Sequence, residues 1–386
     1  MYPIVLTDEQ RAIKNAVRRL ATEKFAPKAA YWDQTYTPPL ENLQILAENG
    51  YTGICLPEEY GGSGLGVFEN VLIFEEISRA CANTAMLLNV TEGAASRVII
   101  GLGTEEQKQK YLRKMGKAEI LAAWSMSEPN AGSDLAGTQT KAVLRGGEYI
   151  VNGSKLWCTA AQVADVFIVF VRVGEEDGLR GVGALLIDKD TSGMTIGKHL
   201  DLIGLRGTGM AELVFEDARV PAENLILRPG RMKDLFTLMA SDRIAGNPPI
   251  ALGIAQAAFT AAVQHLRDRS QFGKALIENQ GLQWLLADMA TSIETARALI
   301  YNAALRTDAN GGVPIYETSM AKIVANEMAV KVTNQAIQMG GSFGLSNEYP
   351  FERYFRDARG LSIGYGTTEV HRNSVARDIV SGAYNC

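Results

Sequence analysis

Three runs in the last third of the chain constrain the fold most: "IALGIAQAAFTAAVQHLRDRS", "GLQWLLADMATSIETARALIYNAALR" and "YETSMAKIVANEMAVKVTNQAIQM". Each repeats its apolar residues at helical spacing over a broad face, and each is too long for a short surface helix. A helix with such a face gains its stability from tertiary packing, so helices of this length bury their faces against one another in a bundle. The pattern predicts a helical bundle over residues 232–386.

The segment before it has a different texture. Between Glu119 and Arg231, "ILAAWSMS", "TKAVLRGGEYIVNGSKLWCT", "DVFIVFVRV", "VGALLIDKD" and "AELVFEDARV" are short apolar or alternating runs split by Gly, Asn and Asp, as in strands. Residues 121–231 are therefore expected to form a central β domain. Before it the helical period returns. Thr7 with Gln10, and Thr104 with Gln107, carry the capping-box pattern of helix starts, while "PEEYGGSGLG" interrupts the periodicity. Residues 1–120 read as an N-terminal helical domain, which makes the whole an α+β multidomain chain.

Composition excludes several function classes. The 386 residues carry a net charge of -5, with a pI near 5.5, which leaves no basic footprint for nucleic acid or an anionic membrane. Cys55, Cys81, Cys158 and Cys386 are scattered without CxxC spacing, so they read as reduced thiols, with neither a disulfide frame nor a metal site. The N-terminal "MYPIVLTDEQRAIKNAVRRL" lacks an apolar signal core, and no uninterrupted apolar run has membrane-spanning length. These features favour a soluble, cytoplasmic setting.

Chemistry is expected in a few polar stretches. "WSMSEPNAGSD" (124–134) ends a strand and offers the hydroxyls and backbone N–H groups of Ser127, Gly132 and Ser133 beside the apolar surfaces of Trp124 and Met126. Alone it reads as an ordinary Gly/Ser turn. "GSKLWCTAA" sets Trp157 and Thr159 two apart, on one face of a strand, where a Trp can also simply pack at a sheet edge.

With "RDRSQFG" (267–273), "QMGGSFG" (338–344) and "YFRDARGLSIGYGTTEVHR" (354–372), and in this order, these stretches resemble the acyl-CoA dehydrogenase family. "PEEYGGSG", "GTEEQKQKYL", "GEYIVNGSKLW" and "ERYFRDAR" extend the resemblance nearly end to end. It implies a helical N-terminal domain, a central β-barrel-like domain, a C-terminal four-helix bundle, FAD between domains, an acyl-CoA substrate, an acceptor such as an electron-transfer flavoprotein, and a homotetramer. By the same resemblance, Trp124, Met126, Ser127, Gly132 and Ser133 contact the flavin, Ser133 also nears the acyl-CoA, and Trp157 and Thr159 flank the flavin's reactive edge. Arg269, Phe272, Gln338, Met339, Gly341 and Ser342 match residues that reach the cofactor from a neighbouring subunit. Thr367 and Glu369 match the turn at the adenosine diphosphate, where Glu369 replaces the usual Gln. Arg243 resembles an arginine that supports CoA binding, in a segment, "IAGNPPIALG", one residue longer than usual.

The departure lies in "LSIGYGTTEV" (361–370). The family pattern has Tyr-Glu-Gly-Thr there, and that Glu removes the α-proton of the thioester while hydride leaves the β-carbon. Here Tyr365 stands in its place, and a phenol with a reference pKa of about 10 is a poor resting base. Tyr365 is expected to shape the pocket or donate a hydrogen bond. Two carboxylates are candidate replacements. Some family members carry the base on the helix that begins the bundle. Asp242 fits that position if the extra residue lies after it, whereas a gapless alignment puts Arg243 there. Glu92, an isolated acid in "LLNVTEGAAS", matches a residue at the acyl end of the pocket, where burial would raise its pKa into the range of a working base. Asp242 implies ordinary α,β-dehydrogenation. Glu92 implies loss of a remote proton from an already unsaturated acyl-CoA in a 1,4 sense, as in the family's cyclohexene-carboxyl-CoA dehydrogenases, with Gly93, Ala94 and Ala95 leaving room for a ring. Two rivals remain: a sulfinate-releasing flavoprotein without net dehydrogenation, and a non-catalytic flavin or acyl-CoA binding protein.

Overall fold

The computed structural model describes residues 5–384, apart from the side chains of Ser241 and Asp242. Helices occupy the chain up to Gly116, and both capping boxes form, with the Gln10 amide N–H donating to Thr7 and that of Gln107 to Thr104. The Val67–Ala80 helix is buried on nearly every side, Glu75 and Glu76 included. Two buried carboxylates demand partners. Lys14 Nζ reaches Glu75 at 2.9 Å, Arg18 grips Glu76 with two nitrogens at 2.7 and 2.8 Å, and Tyr301 and Gln256 from the bundle donate to Glu75. The first amides of the helix are satisfied from the bundle too: Val67 N and Phe68 N donate to the Asp308 carboxylate at 2.7 and 2.9 Å.

Eight strands follow: β1 (Ala122–Ser125), β2 (Lys141–Arg145), β3 (Glu148–Thr159), β4 (Val166–Arg172), β5 (Val182–Asp188), β6 (Met194–Ile196), β7 (Met210–Pro221) and β8 (Leu225–Leu227). The sheet runs β6-β7-β3-β2-β4-β5-β8, with β1 pairing parallel to β4. "DVFIVFVRV" reads as a continuous apolar run because β4 is covered on both faces. Val166, Ile168 and Phe170 pack on Tyr111, Leu112 and Met115 of the helical part, while Phe167, Val169 and Val171 face an interior shared with Val151 of β3, Leu185 of β5 and Leu213 of β7. Strands from both ends of the order thus enclose one core, and the sheet curls round it.

From Met232 the chain is helical again, apart from a two-stranded hairpin at Ser270–Ala275. Asn247–Asp268, Gln280–Asn310 and Ile315–Gly340 are the long helices, of 22, 31 and 26 residues, and Phe351–Leu361 and Thr368–Val380 pack on the last of them. Their buried faces merge with those of the N-terminal helices into one core, joining Val17, Phe68 and Leu72 to Ile254, Ile300 and Val332. The helix at Ala82–Leu102 lies where this core meets the sheet. By length and composition it could cross a membrane, yet two-thirds of its most apolar window (67%) is buried inside the molecule, which makes it a core helix.

Removing the Asp308 carboxylate leaves two helix-start amides without an acceptor, so Asp308→Ala is expected to lower the unfolding free energy by about 1–2 kcal/mol in chemical denaturation. An unchanged midpoint would show that those amides find another partner.

Candidate active site

The Trp124–Ser133 segment leaves the end of β1 and runs alongside β3. Leu156 N donates to Ser127 O at 2.9 Å, Lys155 Nζ donates to Met126 O at 3.1 Å, and the Cys158 thiol lies 3.7 Å from Trp124 O. A buried ion pair fixes the loop, with Lys155 Nζ 2.7 Å from Glu128 Oε1. The carboxylate also accepts the amides of Gln139 at 2.7 Å and Thr140 at 2.9 Å. Burial lowers the Lys155 pKa despite its partner; burial alone would raise that of Glu128, but the hydrogen bonds from Lys155 and Thr140 bring it below the ordinary carboxylate range.

β3 is not a regular strand here. Its register with β7 slips between Lys155 and Cys158, and Trp157 sits inside the slip at φ +65°. Simple alternation would place Trp157 and Thr159 on one face; the bulge instead re-aims the indole, which is 52% exposed, while Thr159 is half-buried. A left-handed Trp costs on the order of 1–3 kcal/mol. Half-exposed Trp124 and Met126, exposed Trp157, and open space over Gly132 and beside exposed Ser133 make a flat apolar shelf with a polar rim. That donor set and shape fit a flavin ring.

Arg269, Phe272, Gln338, Gly341 and Ser342 are exposed at one end of the bundle, and Met339 is buried beside them. The Arg269 guanidinium lies 5.6 Å from the Phe343 ring, which joins the "RDRSQFG" and "QMGGSFG" turns. Among the described residues no hydrogen bond or ring contact joins this group to the shelf. Thr367 caps the Thr368–Val380 helix through Val370 N at 3.3 Å, and Glu369 is exposed in its first turn, its pKa lowered by its own amide and by Thr367.

Tyr365 adopts φ +59° in a turn gripped from beneath. Buried Lys322 Nζ donates to Gly366 O at 2.8 Å, and buried His371 lies with Nε2 3.2 Å from Tyr365 O and Nδ1 3.2 Å from Ser319 Oγ. Arg243 completes this basic cluster, with Nη1 3.4 Å from both Ser319 Oγ and His371 Nδ1. Burial pulls each basic group down: Arg243 to about 10, Lys322 to about 7 with help from Arg243, and His371 to about 3 with help from both cations. On the other side of the turn the Tyr365 hydroxyl accepts from Asn89 Nδ2 at 2.9 Å, and burial raises the phenol above its ordinary pKa. A neutral phenol held by an amide makes no base at neutral pH.

Glu92 stands one turn beyond Asn89 on the Ala82–Leu102 helix. Residues Val90–Ala95 wind as a π-helix there, a form that concentrates at functional sites. Thr91 Oγ1 ties the turn to the sheet by accepting Ala122 N at 3.1 Å, two residues before Trp124. The Glu92 side chain is buried, and its Oε1 accepts Gly53 N at 2.5 Å. Burial raises its pKa to about 8, against the opposing pull of the Gly53 and Ile54 amides. Asp242 ends the Met232–Asp242 helix, and its side chain lies outside the described residues. The chain breaks after it into a 3-10 turn at Arg243–Ala245 before the next helix starts at Asn247. Asn89, Lys155 and Glu128 join the site only through the fold. For Asn89 the one signal is a polar side chain a single turn before Glu92 in an apolar run.

The chain matches the acyl-CoA dehydrogenase N-terminal domain over residues 7–119, the middle domain over 123–218 and the C-terminal domain over 246–380. It belongs to the acyl-CoA dehydrogenase family and is an FAD-dependent oxidoreductase. It is 39% identical over 368 residues to the short-chain-specific acyl-CoA dehydrogenase of Clostridium acetobutylicum, covering 95% of this chain and 97% of that one. It is 37% identical over 377 residues to the cyclohex-1-ene-1-carbonyl-CoA dehydrogenase of Geobacter metallireducens, covering 97% and 99%. The solved butyryl-CoA dehydrogenase of Megasphaera elsdenii superposes with a TM-score of 0.93 at 35% identity, covering 98% of this chain and 99% of that one.

Glu128→Gln would leave Lys155 buried without its counter-charge. It is expected to cost about 3–5 kcal/mol of stability and to loosen the shelf, so that flavin is lost on dialysis faster than from the parent. Full flavin retention with parental stability would show that the ion pair does not hold the loop.

Proposed function

We propose that this enzyme dehydrogenates an already unsaturated, compact acyl-CoA, with Glu92 as the general base for a proton remote from the thioester. The observation that carries the reading is the pairing of a buried, π-turn carboxyl whose pKa stands at about 8 with a phenol where the family has its usual carboxylate. A remote proton is acidic only when a conjugated double bond relays charge to the carbonyl, so the placement of Glu92 favours a 1,4 loss of hydrogen. When bound on the shelf of Trp124, Met126, Trp157 and Thr159, FAD supplies the hydride acceptor. Glu92 takes the proton, its carboxylate oriented by the Gly53 amide on Oε1. The small residues Gly93, Ala94 and Ala95 beside it favour a ring, and the cyclohex-1-ene-1-carbonyl-CoA dehydrogenase of Geobacter metallireducens is a relative named for a substrate of that shape. An electron-transfer flavoprotein as acceptor and a homotetramer, with the exposed Arg269 and Gln338 ends serving a neighbouring subunit's cofactor, belong to the same proposal.

The test is an anaerobic titration against linear and cyclic, saturated and unsaturated acyl-CoAs, following flavin bleaching and product mass together. Glu92→Gln is expected to keep FAD and thioester binding and to slow flavin reduction by about 10²-fold or more, while Asp242→Asn has the smaller effect. The reverse ranking would make this an α,β-dehydrogenase with an aspartate base. Because the carboxylate is the active form, parental kcat/KM should rise with pH through about 8. Stability has the opposite slope. The unfolded carboxyl ionises at about 4.3, well below the folded value, so the unfolded chain sheds its proton first and stability falls between the two. Gln keeps the acceptor for Gly53 without a charge to bury, so Glu92→Gln should melt higher than the parent at pH 7. A lower or equal melting temperature would contradict the buried-acid assignment.

Tyr365→Glu restores a carboxylate where the family places its base. It is expected to create α,β-dehydrogenation of a saturated thioester such as butyryl-CoA, since positioned bases contribute about 10²–10⁴-fold. No gain, in a variant that still binds FAD and thioester, would mean that Cα is not presented to that position.

A further inference from the structure

Asn89 is 1% exposed, in the middle of an apolar helix. Its Oδ1 lies against two glycines: a Cβ on Gly93 would come within 2.0 Å of that oxygen, and one on Gly246 within 1.9 Å. The place of a glycine's missing Cβ is taken by a Cα hydrogen, so the oxygen sits along two Cα–H directions, where weak C–H···O contacts favour a carbonyl over an NH2 group. The NH2 end therefore faces Tyr365, to whose hydroxyl it donates at 2.9 Å. A donor on one lone pair of the phenol oxygen leaves the phenol's own hydrogen to be given elsewhere. Among the described residues no acceptor takes it.

From this we infer that Asn89 is a positioning residue, and that it makes Tyr365 a fixed hydrogen-bond donor to the thioester end of the acyl group. The inference rests on the dehydrogenation proposed above. When a remote proton leaves to Glu92, its electron pair passes along the conjugated system towards the carbonyl, and negative charge gathers at the end of the acyl group opposite Glu92. A neutral phenol that donates and cannot accept the proton suits that place, because it stabilises the charge without competing as a base. No bond is made or broken by Tyr365 itself.

Two backbone segments meet on this amide. The break between the Met232–Asp242 and Asn247–Asp268 helices ends in Gly246, at φ -121° and ψ -83°, packed on Asn89. It brings a backbone without a side chain against the amide oxygen. Gly93, on the π-turn with Glu92, does the same from the other side.

The test is a double-mutant cycle in the FAD-loaded enzyme with two readouts. The first is the Kd of crotonyl-CoA, read from its perturbation of the flavin spectrum without turnover. The second is the rate of flavin reduction by whichever thioester the titration identifies. Tyr365→Phe and Asn89→Leu are each expected to weaken crotonyl-CoA about 10-fold and to slow reduction about 10²-fold, the larger effect arising where charge develops. The double variant should be no worse than either single one, because Asn89 acts only through the phenol. Gly246→Ala, which displaces the amide and leaves both partners in place, should mimic Asn89→Leu and carries the test if that variant does not fold. Parental Kd and rate in Asn89→Leu, or losses that simply add in the double variant, overturn the inference. If no thioester bleaches the flavin, the proposed function fails while the crotonyl-CoA cycle still decides the role of Asn89.

Discussion

A helix buried on nearly all sides must find an internal partner for every polar group it carries, and the Ala82–Leu102 helix carries many. Asn83 Oδ1 accepts Thr208 N at 3.0 Å, Thr84 Oγ1 accepts Asn42 Nδ2 at 2.8 Å, and Asn89 donates to Tyr365 at 2.9 Å. Thr91 accepts Ala122 N at 3.1 Å and Glu92 accepts Gly53 N at 2.5 Å. Each bond goes to a different part of the molecule: the loop before β7, the N-terminal helices, the C-terminal turn, the first strand and the loop after the first helices. An unmade bond at any of these costs about 1–3 kcal/mol, so the helix has one depth and one rotation that satisfy them all. The relative placement of the two helical parts and the sheet follows from that single setting.

The same helix positions two of the polar side chains of the site. Asn89 and Glu92 lie three residues apart, hence on neighbouring positions of one helix face, and the π-turn begins between them. Widening the helix there turns Glu92 towards the Gly53 loop, while Asn89 keeps to the C-terminal turn. Gly93 lets Asn89 lie against that turn, since a Cβ there would come within 2.0 Å of the amide oxygen.

Periodicity made the long bundle helices and the β texture of the middle of the chain legible, because burial on one face or two leaves a regular trace in sequence. Glu92 stood out for the same reason, as an acid where the pattern calls for an apolar residue. Asn89 did not, since an isolated Asn in a helix has no spacing to announce its partner 276 residues away. The Lys155–Glu128 pair was equally silent: each residue looks like a surface charge until the loop and strand are side by side, and burial is the whole of their meaning. The re-aimed Trp157 needed the bulge, which arises from a mismatch with β7 that β3 alone does not reveal. Family resemblance pointed to these stretches as a cofactor site; three-dimensional pairing shows how they are held together.

The turn at Tyr365 is held by basic groups beneath it that do not touch its side chain. Lys322 is neutralised in part by burial, with a pKa of about 7, and His371 at about 3 is uncharged across the physiological range. Both instead hold the turn through the carbonyls of Gly366 and Tyr365, which any residue at position 365 provides. The grip that enforces the left-handed backbone is therefore blind to the side chain. A turn whose backbone is fixed independently of its side chain can carry different residues at one position without refolding, which is how one fold comes to host different sites.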